Sequence, residues 1–137
     1  MTERGHRIVW LSELMLSDGR DGVESARCEG GLGSTTRVQR KFEQTLASLP
    51  GRLFVSFDID AVRGADCPGV SCPAGVGLTA EDACRICFVA GADPRVDLID
   101  ISELNPVVED FRSPRLAVLM FYYVLLGIAS RTSAGKA

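Results

Sequence analysis

The sequence has almost no histidine: its one copy, His6, stands in Arg4-Gly5-His6-Arg7, where a frayed terminus is the expectation. It has no long basic run, and 15 basic residues against 18 acidic ones leave a net charge of -3 at pH 7. Gripping a phosphate backbone needs clustered positive charge, so nucleic acid is not the expected partner. The opening Met1-Thr2-Glu3-Arg4-Gly5-His6 lacks the apolar segment of a secretory signal. No apolar run reaches the roughly 20 residues of a bilayer crossing. The longest, 116–129 between Arg115 and Arg131, is expected to be a buried helix, with no membrane partner. Gly30, Gly31 and Gly33 are followed by no Gly-Lys-Ser/Thr and do not fit Gly-x-Gly-x-x-Gly, which removes the phosphate-loop readings. There is no internal repeat, and no low-complexity stretch beyond a short tail, 132–137, expected to be disordered.

Five cysteines, an odd number, with no secretory signal point to free thiols in a reducing compartment, by default the cytoplasm. Cys67, Cys72, Cys84 and Cys87 could in principle form a zinc site, because Cys84-x-x-Cys87 has knuckle-like spacing. The geometry argues otherwise. Cys84 and Cys87 fall inside an expected helix whose apolar stripe includes Ala83, Ile86 and Ala90, where cysteine acts as a small hydrophobe. An acidified redox thiol would instead sit at a helix N-terminus.

What the sequence does hold is an alternation of strands and helices in a length suited to one domain, 137 residues. Ile8-Val9-Trp10-Leu11 is a short strand candidate, followed by a polar, glycine-rich stretch to Thr36. Val38, Phe42, Leu46 and Leu49 recur at helical spacing behind Thr35-Thr36, which predicts a helix over 37–48. Arg52-Leu53-Phe54-Val55-Ser56-Phe57 follows Leu49-Pro50-Gly51 and predicts a strand running to Asp60. A loop punctuated by Gly64, Pro68, Gly69, Pro73, Gly75 and Gly77 comes next, longer than a connector needs to be. Thr79-Ala80-Glu81-Asp82 has the form of a capping box and opens a helix ending near Gly91. Residues 96–104 predict a further strand, and Ser113-Pro114 supplies an N-cap and first-turn proline for the last helix. Such alternation implies parallel pairing, hence an α/β three-layer sandwich with helices on both faces of a parallel sheet.

In sheets of this kind ligands bind beyond the carboxyl ends of the strands. Ser56-Phe57-Asp58-Ile59-Asp60 lies at one such end. With strand alternation Ser56, Asp58 and Asp60 project to one side, so two like charges sit together unless something positive separates them. Glu103 lies near the end of the next strand. A capping or solvated role for these acids is the bland alternative.

Four blocks in order decide the comparison: Ser56-Phe57-Asp58-Ile59-Asp60, Pro68-Gly69-Val70-Ser71-Cys72-Pro73, Gly77-Leu78-Thr79 and Glu103-Leu104-Asn105-Pro106. Together they resemble the C-terminal half of the arginase or ureohydrolase family, over about 1–131. The Pro-Gly-Val-Ser-x-Pro wording is similar to formimidoylglutamase more than to arginase. The resemblance implies an arginase-like fold and a binuclear manganese (Mn2+) hydrolase of linear amidines, with Asp58 and Asp60 as metal ligands. It implies that Glu103 binds the amidine or guanidine end of a small-molecule substrate. Formimidoylglutamate would give glutamate and formamide, as in histidine degradation; arginase, agmatinase or guanidinobutyrase chemistry is the guanidine alternative. Hard carboxylate oxygens suit manganese, and a metal pair about 3.5–4 Å apart generates a nucleophile at neutral pH.

The family's remaining ligands come from a Gly-Gly-x-His block and an Asp-x-His-x-Asp block, and neither occurs in this sequence. The chain thus reads as the C-terminal half of such a domain, incomplete by itself. Ala61-Val62-Arg63 follows Asp60 where many relatives carry Asp-Pro, and Cys72 stands where a small or hydroxylic residue is usual. A half sheet would expose an edge and an apolar helix face, which predicts either a homo-oligomer or an inactive remnant bound to a full-length relative.

Overall fold

Helices begin in this chain where a side chain can accept the first free N–H groups. The computed structural model describes residues 36–134; Ile8-Val9-Trp10-Leu11, His6, Cys28 and the glycines at 30–33 lie outside the described residues. Helix α1 (Arg37–Ser48) follows Thr36, whose Oγ1 accepts from the Gln39 N–H at 3.1 Å, a cap worth about 1 kcal/mol. Val38 and Phe42 turn toward the core and Leu46 is buried, as their spacing requires. Helix α2 (Ala80–Ala92) opens with the capping box read from the sequence. The Thr79 hydroxyl accepts from the Asp82 N–H at 3.0 Å, and the Asp82 carboxylate accepts from the Thr79 N–H at 3.2 Å.

Between these helices runs β1 (Leu53–Asp58), and after α2 comes β2 (Val96–Ser102). The two pair in parallel, with α2 as the crossover that parallel pairing demands. The register sets Val55 opposite Ile99, Phe57 opposite Ile101 and Asp58 opposite Ser102. Phe57, Ile99 and Ile101 face the helices and join a core of Ile59, Val62, Val70, Ala83, Ile86, Leu116, Met120 and Val124. The opposite face carries Phe54 beside Leu98 and Ser56 beside Asp100, and it is open. The fold class is therefore α/β with a parallel sheet, as expected. Among the described residues, helices cover one of the two sheet faces.

Both strands stop earlier than their composition suggested. Asp58 ends β1, and Ile59–Ala61 forms a 3-10 turn, so Asp60 sits on a turn rather than in line with Asp58 along a strand. The Asp58 carboxylate causes this by accepting from the Asp60 N–H at 3.1 Å, a local bond that competes with strand geometry. Strand β2 ends at Ser102 because Glu103 turns to φ 65°, a left-handed conformation that a strand cannot continue.

The last helix, α3 (Arg112–Ala134), differs from its expectation twice. Ser113 does not cap it. Glu109 does, its carboxylate accepting from the N–H groups of Phe111, Arg112 and Ser113 at 2.8, 2.6 and 2.8 Å. These bonds hold the Glu109 carboxyl at about 2, well below its ordinary value. Nor is α3 buried all round. Leu116, Met120, Val124 and Gly127 face α2, whereas Val118, Phe121, Tyr122, Leu125 and Ile128 are exposed. By length and composition alone α3 also meets the requirement for crossing a membrane; its one buried face seats on α2. It continues to Ala134, into the segment read as a tail.

Candidate functional site

The parallel pairing brings the sequence's three candidate acids to one end of the sheet. Asp58 closes β1, Asp60 stands two residues on, and Glu103 directly follows Ser102, the residue paired with Asp58. Asp58 and Glu103 are exposed, and Asp60 is half-buried. Burial first, and then the neighbouring Asp58 charge and hydrogen bond, raise the Asp60 carboxyl above its ordinary value. A carboxyl whose folded value is raised favours folding below its unfolded value and loses that contribution as pH rises through the folded one. The ionised pair is thus a local cost that a cation would relieve. Replacing Asp58 with Asn is expected to move the Asp60 titration downward, which carboxyl carbon shifts followed against pH would show; an unmoved titration would mean that the two do not interact.

Glu103 is the one non-glycine residue with positive φ among the described residues. A left-handed conformation of this kind costs of order 1 kcal/mol and persists only where the surroundings fix it. Here they do so through the loop following β1. Val70 bridges Leu104, the Asn105 N–H donates to the Gly69 carbonyl at 2.8 Å, and Asn105 Nδ2 donates to Ser71 Oγ at 3.3 Å. The loop is anchored at its other end too. Asp66 accepts from Arg63 Nε and from the Ala80 N–H, both at 2.9 Å, joining it to the start of α2. These contacts hold the Asp66 carboxyl below its ordinary value, the Arg63 hydrogen bond contributing most.

Sequence reasoning passed over Asp100, a further carboxylate on the same sheet face, which accepts from Ser56 Oγ at 3.0 Å. The period-two pattern of β2 places it there. It passed over Glu109 as well, and gave Ser113 a capping role only. Cys72 is exposed on the loop, while Cys67, Cys84 and Cys87 are buried and free. A cleft of about 490 Å³ opens between β2 and α3, lined by residues that include Ile99, Ile101, Phe121, Val124 and Ile128. Asp97 and Arg131 also line it, and none of the three candidate acids does, so it is separate from this site.

The hard oxygens of Asp58 and Asp60, adjacent and mutually repelling, suit a manganese-type ion. They fit a share of such a site and not the whole. No group of three or more potential ligands that could hold a metal gathers among the described residues.

The arginase family model matches residues 32–127, which include β1, β2 and all three candidate acids. The chain belongs to the arginase family. It is 35% identical over 80 residues to the formimidoylglutamase of Aromatoleum aromaticum, covering 58% of this chain and 24% of that one. It is 31% identical over 74 residues to that of Rhodococcus opacus, covering 53% and 23%. The fold superposes on Trypanosoma cruzi formiminoglutamase, a structure with Mn2+, at TM-score 0.66 and 50% identity, covering 67% of this chain and 32% of that one. Against Bacillus subtilis arginase the TM-score is 0.59 at 22% identity, which supports the shared fold. The chain thus spans about a quarter of the length of these curated relatives and about a third of the solved ones. Within the family, the more specific signal is the similarity to proteins named formimidoylglutamase.

Proposed function

We propose that this chain supplies the carboxylate and amidine-anchoring share of a manganese-dependent, formimidoylglutamase-type site. The observation that carries this reading is the parallel β1–β2 pair, which sets Glu103 beside the strand end bearing Asp58 and Asp60. Asp58 and Asp60 would hold the metal, which when bound supplies a nucleophile at neutral pH and stabilises developing negative charge. Glu103 presents an anion to the cationic amidinium, orienting its carbon toward the two aspartates by a charge-assisted pair. N-formimidoyl-L-glutamate is the substrate this reading prefers, with glutamate and formamide as products; a guanidine in place of the formimidoyl group is the alternative. A cytoplasmic setting agrees with the free thiols.

The test is manganese retained after loading and desalting, together with formamide released from N-formimidoyl-L-glutamate, in the wild type and in Asp58→Asn/Asp60→Asn. Retained metal and product are both expected to depend on the two aspartates. No aspartate-dependent manganese would sink the assignment. Manganese without formamide favours a second reading, a non-catalytic chain bound to a full-length relative or to another copy. That reading has an observation of its own: Phe54 and Leu98 lie 60% and 59% exposed, side by side on the open sheet face. Sedimentation of the purified chain separates a monomer from such an assembly.

A further inference from the structure

Ser113 is fully buried, and it is the one polar or charged residue so buried among the described residues. Its hydroxyl makes two bonds of opposite sense. It donates to Glu109 Oε2 at 2.8 Å and accepts from the Gly69 N–H at 2.7 Å. Glu109 is itself fixed by the three amides it accepts from, those of Phe111, Arg112 and Ser113, so the hydroxyl proton is held toward it and a lone pair is left toward Gly69. Gly69 meets this hydroxyl at close quarters. A Cβ added there would lie 2.6 Å from the Glu109 carbonyl oxygen and 2.8 Å from Ser113 Oγ. The same residue's carbonyl accepts from the Asn105 N–H, two residues beyond Glu103, and Val70 bridges Leu104.

A continuous path therefore leads from the N-terminus of α3, through Glu109 and Ser113 to both polar groups of Gly69, and on to the turn that carries Glu103. We infer that Ser113 is a positioning residue, holding the Gly69 loop so that Glu103 keeps its left-handed backbone at the mouth of the site. The functional part of this inference rests on the proposed role of Glu103 as amidinium anchor; the structural part does not. A serine whose bonds served only to start the helix would leave the Gly69 loop and Glu103 indifferent to its loss, since Glu109 accepts from the α3 amides directly.

Backbone NMR of the full chain tests this with Ser113→Ala, which removes the hydroxyl, and Ser113→Thr, which keeps it. In Ser113→Ala the amides of Gly69 and Asn105 are expected to exchange at least about tenfold faster, as the loss of one buried hydrogen bond implies. The Glu103 carbon shifts should move from left-handed toward extended values. The amides of Val55, Phe57 and the α2 interior should keep their rates, and Ser113→Thr should restore the wild-type pattern. Unchanged Gly69 exchange and Glu103 shifts in Ser113→Ala would overturn the inference, as would a uniform acceleration across sheet and helices. A separate titration with formamidinium chloride reads the anchor itself. No Glu103-dependent shift in the wild type would remove the amidinium role while leaving the exchange result to decide the positioning role. Equal formamidinium binding by wild type and Ser113→Ala would overturn the claim that Ser113 acts through Glu103.

Discussion

Gly127→Ala is expected to lower the stability of the chain by about 3 kcal/mol, at the upper end of ordinary overpacking costs. Helix propensity alone predicts the reverse, because alanine gains about 1 kcal/mol over glycine inside a helix. The contact decides the sign. A Cβ at Gly127 would stand 2.2 Å from the Phe88 carbonyl oxygen and 2.7 Å from the Ala92 nitrogen, and both are backbone atoms of α2 that no rotamer change can withdraw. Gly91 faces the same crossing from the other side, its added Cβ 2.3 Å from the Val124 carbonyl oxygen. The two helices thus touch backbone to backbone at a pair of glycines, and one methyl group forces them apart along the face that buries Met120 and Val124. For a chain of this length, at about 2 cal/mol/K of unfolding entropy per residue, 3 kcal/mol corresponds to a fall in Tm of about 10 °C. Gly75→Ala is the control, since nothing lies within 4 Å of a Cβ there. Thermal melts of the two variants should separate clearly; a Gly127→Ala melt as high as that of Gly75→Ala would mean that α2 and α3 do not cross this closely.

That crossing shows what a sequence can and cannot convey about this domain. The helix over 37–48 and the box at Thr79 and Asp82 were legible because capping is local: the accepting oxygen and the donating N–H lie three residues apart. The two aspartates and Glu103 were legible as candidate acids because strand ends follow from composition and punctuation. The left-handed backbone at Glu103 was not, since no glycine or asparagine marks it and its cause is the loop carrying Gly69 and Val70, more than thirty residues away in sequence. The cap of α3 was misassigned to Ser113 for a related reason. Serine before proline is a strong local signal, yet Ser113 spends its hydroxyl on Gly69 and Glu109, a tertiary demand that leaves capping to the glutamate. The exposed side of α3 was legible only through the resemblance to half a domain, which leaves an apolar helix face uncovered; the apolar run alone was read as a buried helix. An apolar run states that a segment can be buried and leaves open whether a partner exists on every side.

Thiol chemistry should divide the cysteines by a factor of a hundred or more. Burial pushes the Cys84 thiol up to about 11 and the Cys87 thiol up to about 12, with the Glu81 charge adding to the first and Cys84 to the second. Cys67 is raised as well, again mainly by burial. Only the thiolate reacts, so relative to a thiol at the ordinary value of 9.0, ionisation alone slows Cys84 about 100-fold and Cys87 about 1000-fold near pH 8. Occlusion inside the α2 core slows them further. Cys72 stands exposed on the loop and has no such barrier. In a Cys28→Ser background, iodoacetamide at pH 8 is therefore expected to modify Cys72 promptly and the three buried thiols only as denaturant opens the core, with peptide mass spectrometry giving the rate at each position. This bears directly on function, because a zinc knuckle or a redox pair at Cys84 and Cys87 requires accessible, readily ionised sulfur. Prompt labelling of those two in the native chain would revive that chemistry; their protection would remove it and leave the proposed metal role with the carboxylates at the strand ends.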